Sequence, residues 1–539
     1  MNDTTIETKL CTYCSASFDI TQSDMDFYSK ISPKFGERTA QIPTPTLCPD
    51  CRQRRRLSFR NERKLYRRQC DASHKSIISI YSPDKPYTVY DQSIWWSDSR
   101  DSLDYEMEFD STRTFTEQFG ELMKVVPCLP LINMNSENSE YCNPWLNNKD
   151  CYMINSITDS EWCIYWRWVD KCDFCIDCYA IKGSKYCSNS VQITNCYSCH
   201  YSSQLEECSN CWGCVWLVNK QYCINNKQYT KEEYQSKLAF NSYIIKKPDP
   251  NLYIQRSENC AWSNIIFDSK NCINCNDVMD SIDMKYCQMV KPDCSDCIDC
   301  TLLLASKLNQ EIMSTLRVEN ALWAVSCRDG NNIYYSNSCY NSSNIFGCIW
   351  LRNKQYCIFN KQYTKEEYNT LVPKIIQHMM TTGEWWEFFH PSLSPFWYNE
   401  TVAQEYFPLI SDRHPEWSET QWRIHMDLSS KESVSFRTST TLSLRSEWQK
   451  KIDFANLWYS RSTYESPTPQ VDKAIRWQDL PDMIDEVDDS ILKSAVICEV
   501  SGKPFRIIPQ ELAFYRKHNI SLPKKHPDVR HMERMELRK

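Results

Sequence analysis

The fold of this 539-residue chain is decided by a stretch that repeats every twelve residues. Written in rows, it contains CIDCYAIKGSKY (175–186), CSNSVQITNCYS (187–198) and CHYSSQLEECSN (199–210). Each row starts with cysteine, and the same column extends in both directions. We call this column the thiol ladder; its members are Cys151, Cys163, Cys175, Cys187, Cys199, Cys211 and Cys223. A fixed period over so many rows is typical of repeat architectures.

Within each row, small or apolar residues recur at every third position. All cysteines between residues 142 and 223 share this spacing, and an aliphatic column lies six residues after the ladder: Ile157, Val169, Ile181, Ile193, Leu205 and Leu217. A period of three fits neither an α-helix, with a spacing of about 3.6, nor a flat strand, with a spacing of about 2. It predicts a thin β-solenoid with coils about 4.8 Å apart, whose narrow interior takes compact side chains such as thiols.

A second run of the same spacing predicts a second solenoid. It covers residues 260–357, with one residue inserted before Cys294. The two runs end alike, in WGCVWLVNKQYCINNKQYTKEEY (212–234) and FGCIWLRNKQYCIFNKQYTKEEY (346–368). The shared TKEE is a capping box, which predicts a helix that covers the open end of each solenoid.

These patterns predict a mainly β protein with six parts. In chain order they are a zinc ribbon with a basic helix (1–70), a β-rich connector (71–135), the first solenoid and its capping helix (136–240), the second solenoid and its capping helix (241–372), an aromatic and then polar linker (373–490), and a degenerate, basic, zinc-ribbon-like module (491–539). In the last part, CEVSGKPFRI (498–507) aligns with CTYCSASFDI (11–20), and the four ligand positions become Cys498, Ser501, His526 and Val529.

Four cysteines near the N-terminus have the spacing of a metal site. They form the pairs Cys11-x2-Cys14 and Cys48-x2-Cys51, separated by a segment long enough for a hairpin. Two such pairs predict one structural zinc ion. Four thiolates complete the coordination shell of zinc, so the ion is expected to be structural and not catalytic.

A strongly basic segment follows the second cysteine pair. Its cations are Arg52, Arg54, Arg55, Arg56, Arg60, Arg63, Lys64, Arg67 and Arg68. One hypothesis is a phosphate-binding surface for RNA, DNA or a ribonucleoprotein. The alternative is a purely structural or protein-interaction module, in which these side chains pair with the rest of a chain whose net charge is −7.

Composition and motifs favour a non-enzymatic cytoplasmic scaffold. No apolar run long enough to span a membrane is present, and the first residues lack a hydrophobic signal region, so the thiols are expected to be reduced. The eight glycines form neither a P-loop nor a dinucleotide loop, and the nine histidines lie in no zinc-hydrolase motif. A secreted, disulfide-linked solenoid remains the alternative, with pairs Cys172–Cys178, Cys208–Cys214 and Cys294–Cys300.

The cysteine-rich coils leave a third functional hypothesis, a thiol-based metal or redox protein. Triplets such as Cys172-Cys175-Cys178 resemble iron–sulfur ligand runs, but no fourth cysteine followed by proline completes them. The period of three also explains these triplets as consecutive inward positions of one coil.

An apolar stripe is expected on the outer face of the first solenoid. Its residues flank the thiol ladder: Trp162, Ile164, Phe174, Ile176, Tyr186, Trp212 and Tyr222. Such a stripe predicts either a docking surface for a protein partner or a cover supplied by residues 383–400 or 95–119 of the same chain.

Several long motifs resemble one known group of proteins. They are LCPDCRQRRRLSFRNERKLYRRQCD, IISIYSPDKPYTVYD, LRNKQYCIFNKQYTKEEY, SPFWYNETVAQEYFP and SGKPFRIIPQELAFYRKHN. Together they are similar to uncharacterised cysteine-rich zinc-ribbon proteins of candidate-phyla (Patescibacteria-type) bacteria, over most of the chain except about residues 411–470. The resemblance implies the architecture and a bacterial source, but no reaction.

Overall fold

The structure is a computed structural model, and the part described here covers most of the chain. It comprises residues 4–35, 38–139, 141–143, 145–238, 331–386, 388–408, 459, 462, 464 and 473–536, together with short strands between residues 254 and 330. The remaining positions of the predicted second solenoid, including Cys294 and Cys300, lie outside the described residues, as do residues 409–458 of the predicted linker.

The N-terminal part consists of three small hairpins and four helices. The antiparallel pairs are β1 with β2, β3 with β4, and β5 with β6. The bounds are β1 Thr5–Leu10, β2 Ser17–Thr21, α1 Gln22–Ile31, β3 Lys34–Phe35, β4 Arg38–Thr39, α2 Pro49–Leu57, β5 Tyr66–Gln69, β6 Ser76–Ser79, α3 Gln92–Trp96 and α4 Phe115–Val125. Residues 71–135 were expected to be β-rich; they instead contain helices α3 and α4 and little strand.

A β-solenoid follows, and the predicted mainly β fold is confirmed. Its strands are β7 Asn133–Met134, β8 Trp145–Leu146, β9 Tyr152–Thr158, β10 Ile164–Asp170, β11 Tyr179–Lys182, β12 Val191–Thr194, β13 Tyr197–His200, β14 Ser203–Glu206, β15 Ser209–Trp212, β16 Val215–Val218, β17 Gln221–Ile224 and β18 Lys227–Gln228. All pair in parallel except β17 with β18. Partners such as Cys199 and Cys211, or Leu205 and Leu217, are twelve residues apart.

Parallel pairing continues in the later part of the chain. The strands are β19 Ile254–Gln255, β20 Asn264–Phe267, β21 Asn276–Met279, β22 Gln288–Val290, β23 Thr301–Leu303, β24 Ala321–Leu322, β25 Arg328–Tyr334, β26 Tyr340–Phe346, β27 Gln355–Ile358 and β28 Lys361–Gln362. Most partners are again twelve residues apart. Gln288 pairs with Thr301, thirteen residues away, where the sequence shows the inserted residue.

The period of three has a backbone cause. In the coil 175–186, every third residue adopts the left-handed conformation: Asp177, Ala180, Gly183 and Tyr186, with φ between 53° and 58°. Each such residue turns the chain, so the next side chain points inward again. Asn, Asp and Gly adopt this conformation at low cost, whereas side chains such as Trp162, Phe174 and Tyr186 occupy it with strain. The coil therefore depends on its interior packing to hold these corners.

Inward side chains bridge neighbouring coils by hydrogen bonds. The Sγ of Cys175 donates to the carbonyl oxygen of Asp173 (3.1 Å) and accepts the backbone N–H of Cys187 in the next coil (3.0 Å). Inward serines do the same, since Ser184 Oγ donates to Lys182 (3.0 Å) and accepts the N–H of Cys196 (3.0 Å). Cysteine and serine are thus both small enough for the interior and able to satisfy a backbone N–H that has no strand partner.

Both predicted capping helices are present. They are α5 Lys231–Leu238 and α6 Lys365–Thr381. In each, the threonine and glutamate of TKEE form reciprocal hydrogen bonds with the backbone. A buried tyrosine of each helix packs on a tyrosine of the last coil. Tyr234 packs on Tyr222 of β17 and Tyr368 on Tyr356 of β27, with ring centroids 5.8 Å apart in both cases. The two ends of the repeats are therefore built alike.

The last described elements of the chain are one helix, three strands and two further helices. Their bounds are α7 Val402–Tyr406, β29 Lys473–Arg476, β30 Ser494–Ile497, β31 Pro504–Phe505, α8 Pro509–His518 and α9 Pro527–Glu536.

The apolar stripe is partly covered, but not by the predicted segments. Residues 480–522 bury Ile164 and Ile176 in one apolar cluster. Lys517 lies over the ring of Tyr186, 4.1 Å from its centroid.

Residues 383–400 and 95–119 pack elsewhere, which corrects the prediction that they cover the stripe. The ring of Phe389 stacks on Phe119 at 4.6 Å, and Trp95 contacts Trp350 at 5.2 Å. These segments share one large aromatic core with the strands around residues 334–359. The sequence did not distinguish the surface around residues 164–186 from the surface around residues 334–359, because both present aromatic side chains.

Candidate metal centre

Four sulfur atoms converge at the N-terminal hairpin. The Sγ atoms of Cys11, Cys14, Cys48 and Cys51 all lie within 4.8 Å of one another, and those of Cys14 and Cys48 are 3.6 Å apart. A tetrahedral tetrathiolate with metal–sulfur bonds of about 2.3 Å places its sulfur atoms about 3.8 Å apart. The donor set therefore fits a metal ion that prefers thiolates. Within the part of the chain that the structure describes, this is the only group of three or more His, Cys, Asp or Glu side chains so placed.

Two elements position these thiols. Cys11 and Cys14 lie in the turn between β1 and β2, and Cys48 is the residue before α2, whose first turn holds Cys51. Hydrogen bonds from the thiols of Cys48 and then Cys51 lower the pKa of the Cys11 thiol. The same hydrogen bonds raise the pKa of the Cys48 and Cys51 thiols that donate them, so without a metal ion the cluster favours a single thiolate, at Cys11.

The cysteines of the solenoid are placed differently. Every described cysteine is a free thiol, so the alternative pairs Cys172–Cys178 and Cys208–Cys214 are not joined, and the pair Cys294–Cys300 lies outside the described residues. Burial raises the pKa of the Cys163 and Cys187 thiols well above the usual range. Buried, protonated thiols are poor nucleophiles and poor metal ligands, which fits a packing role for these members of the ladder.

Most of the predicted nucleic-acid-binding cations do not lie on an open surface. Arg52, Arg55, Arg56 and Arg60 are all buried, with 6% or less of each residue exposed. Arg60 forms an ion pair with the buried Glu62. Such side chains cannot reach a phosphate backbone without local unfolding, so the basic segment does not form the predicted surface through these four arginines.

The other cations of this segment are engaged within the chain. Arg54 donates from Nε to the hydroxyl of Tyr398 (2.8 Å), and its guanidinium lies about 5 Å from the rings of Tyr13, Tyr398 and Tyr459. Arg63 and Lys64 both bind the carboxylate of Asp528, at 2.9 and 2.8 Å.

The last two cations differ in exposure. Arg68 is half-buried and pairs with Asp71 (3.1 Å), whereas Arg67 is exposed and, among the described residues, donates only to the hydroxyl of Tyr141 (3.5 Å).

A buried ion cluster, which the sequence did not indicate, lies between the solenoid and the C-terminal module. Asp177, a corner residue of the solenoid, pairs with Arg530 and, at 2.9 Å, with Arg534. Arg530 also lies 3.4 Å from Glu511, which accepts a hydrogen bond from Tyr515 (2.9 Å). Two arginines and two carboxylates balance one another, so the contact is neutral only while both carboxyl groups are ionised.

This cluster predicts a pH-dependent contribution to stability. Burial raises the pKa of Glu511 from its ordinary value of 4.5 to about 7. The folded protein therefore holds this proton more tightly than the unfolded chain, and the cost of ionising Glu511 reduces stability as the pH rises from 4.5 to about 7. We expect Glu511→Gln to gain about 3 kcal/mol relative to the wild-type protein between pH 4 and pH 8, measured by urea unfolding.

The control for this prediction is Ser521→Ala. Ser521 is exposed and donates only to the backbone carbonyl oxygen of Asp482 among the described residues, and it does not titrate, so its replacement is expected to shift stability equally at both pH values. A difference between Glu511→Gln and wild type that does not change with pH would contradict the prediction.

Comparison with known proteins gives no match: no family model, no curated protein and no solved structure is similar to this chain. Among the described residues, no helix combines the length and the apolar character needed to cross a bilayer. The features that bear on function are therefore the four-cysteine cluster and the solenoid.

Proposed function

We propose that the protein is a non-enzymatic scaffold in which one zinc ion holds the N-terminal ribbon together and two solenoids form an elongated body. The observation that carries the proposal is the convergence of Cys11, Cys14, Cys48 and Cys51 on one point. Zinc is the metal proposed because four thiolates on two knuckles favour it and leave no open coordination position. Two observations support two solenoids. Strands pair with partners twelve residues away both before residue 254 and after it, and each set of strands is followed by an equivalent helix, α5 or α6.

Elemental analysis with a free-thiol count tests this proposal. We expect about one zinc ion per chain and reactive thiols for nearly all other cysteines after denaturation. Several metal ions per chain, or any iron, would instead support the thiol-based metal or redox hypothesis.

We propose that the scaffold acts through protein partners and not through nucleic acid. The burial of Arg52, Arg55 and Arg56 supports the alternative in which the arginines pair within the chain. A partner surface is available beside the covered part of the stripe, where Phe174 is 36% exposed and Tyr197, which contacts the ring of Tyr186, is 50% exposed. Membership of the zinc-ribbon group named above stays a prediction.

The arginines themselves provide a test. Replacing Arg54, Arg55 and Arg56 by glutamine is expected to lower the free energy of unfolding by more than about 3 kcal/mol, since each change removes one partner of a buried contact. The matched control is Arg67→Gln, in the same segment but exposed, which is expected to change stability by less than about 0.5 kcal/mol. Salt-dependent RNA or DNA binding by the wild type, lost in Arg67→Gln, would contradict this proposal and restore the nucleic-acid hypothesis.

A further inference from the structure

The turn that carries Cys11 occurs twice more in the chain. In each copy the N–H of a cysteine donates to the carbonyl oxygen five residues later: Cys11 to Ala16 (2.8 Å), Cys70 to Lys75 (2.9 Å) and Cys498 to Lys503 (3.1 Å). The carbonyl oxygen of the same cysteine accepts from the residue four later, which is left-handed in every copy: Ser15 (φ 60°), His74 (φ 58°) and Gly502 (φ 64°). Each turn joins two antiparallel strands.

A helix start completes each copy. In each copy, the carbonyl oxygen of the residue before the helix accepts a hydrogen bond from the N–H four residues later. The pairs are Cys48 with Arg52 before α2 (3.0 Å), Asp91 with Trp95 before α3 (2.9 Å) and His526 with Arg530 before α9 (3.1 Å). The residue before the helix also donates its own N–H to the sulfur of the turn cysteine. Asp91 donates to Cys70 at 3.1 Å, and His526 donates to Cys498 at 3.2 Å. Cys48 makes the equivalent contact with Cys11.

The sulfur also accepts a second N–H, from the residue three positions after the cysteine. In the second copy this is Ser73, at 3.3 Å, and in the third it is Ser501, at 3.4 Å. In the first copy it is Cys14, which is itself one of the four clustered thiols. All three copies therefore place one sulfur atom between the same two backbone donors.

From this geometry we propose that the chain contains three copies of one metal-ribbon module, and that only the first keeps a full set of metal ligands. The four ligand positions are Cys11, Cys14, Cys48 and Cys51 in the first copy, Cys70, Ser73, Asp91 and Ile94 in the second, and Cys498, Ser501, His526 and Val529 in the third. The sequence alone did not support a second metal site, because three of its four ligands are replaced and Cys70 and Asp91 are only 21 positions apart.

In the second copy, direct hydrogen bonds take the place of the metal. Ser73 Oγ donates to Asp91 Oδ2 (2.6 Å), which joins the turn to the helix start across the position that the zinc ion of the proposed function, on which this inference rests, would hold in the first copy. The other carboxylate oxygen of Asp91 accepts the N–H of Ile94 (3.1 Å). Cys70 is retained because its sulfur satisfies two backbone N–H groups in a fully buried position.

The test is to restore the missing ligands in the full-length protein. The triple variant Ser73→Cys, Asp91→Cys, Ile94→Cys is expected to bind one more zinc ion per chain than the wild type. Its Co²⁺ form is expected to show about twice the thiolate charge-transfer absorbance. Counting the increase over wild type separates this result from the proposed function, which concerns the first site alone.

The control places the same number of thiols one position away, in Ala72→Cys, Gln92→Cys, Ser93→Cys, and is expected to gain no ion. The second restoring variant is Ser501→Cys, His526→Cys, Val529→Cys, which is expected to gain one ion in the third copy. The proposal is overturned if neither restoring variant binds an additional ion, or if the displaced control gains one as readily.

Discussion

Replacing Cys51 with serine is expected to release the metal ion and unfold the N-terminal module. A serine hydroxyl is a poor zinc ligand, and the apolar cluster around the site is small, with buried Phe18, Ile20 and Leu47 and partly buried Tyr13 and Met25 beside the thiols. In such a module, metal binding supplies most of the folding free energy, on the order of 10 kcal/mol. We expect the zinc content to fall from one ion to less than about 0.1 per chain, measured by elemental analysis after gel filtration.

The consequence should extend beyond the ribbon. Tyr13, in the turn between Cys11 and Cys14, packs on Tyr459 at 6.1 Å and on the guanidinium of Arg54. A chelator added to the wild type should therefore lower the first thermal transition, as Cys51→Ser does. Cys128→Ser, which changes a buried cysteine outside the cluster, is the control and should keep its zinc. Normal zinc content in Cys51→Ser would show that the ion lies elsewhere.

Substitutions of Cys175 should separate the two roles of an inward thiol. Cys175→Ser keeps a small side chain that donates to Asp173 and accepts from Cys187, so we expect a loss of less than about 1 kcal/mol. Cys175→Ala leaves the N–H of Cys187 without its acceptor and opens a small cavity, which is expected to cost about 2–3 kcal/mol. Cys175→Leu is expected to be the most damaging, since the closed coil has no room for two additional heavy atoms.

The measurement is equilibrium unfolding of all three variants. The order Ser, Ala, Leu tests hydrogen bonding and packing together. If thiols acted only as small apolar groups, alanine would be tolerated as well as serine, and that outcome would remove the hydrogen-bond argument. The inward Ser184 provides a matched position, where Ser184→Cys should be nearly neutral and Ser184→Ala costly for the same reason.

The repeats and the four-cysteine cluster follow from local sequence patterns. The twelve-residue period, the inserted residue between Gln288 and Thr301, and both capping boxes are encoded by neighbours in the chain, so the sequence alone predicts them. The cysteine pairs of the ribbon are equally local.

The contacts that the sequence did not predict join distant parts of the chain. Arg530 meets Asp177 across 353 positions, and nothing in either segment indicates the other. A run of basic residues also does not show which of its side chains are exposed. The sequence therefore indicated surface cations at Arg55 and Arg56, although both are buried and Arg55 lies over the ring of Phe388. The left-handed corners at Trp162 and Tyr186 were missed for a related reason, because only glycine and asparagine mark such positions by residue type.

The uniform interval between paired strands has a consequence for how this body assembles and changes length. Each coil contacts chiefly the coils twelve residues before and after it, so its contact order is low and every closed loop is short. Folding can then spread from one coil to the next, with free energy added in nearly equal increments. Loss of one whole coil, such as residues 187–198, keeps every later side chain in register. Loss of a single residue shifts every later inward position by one, unless one coil accommodates the change, as it accommodates the extra residue between Gln288 and Thr301. The molecule can therefore lengthen or shorten in steps of twelve residues without a new fold.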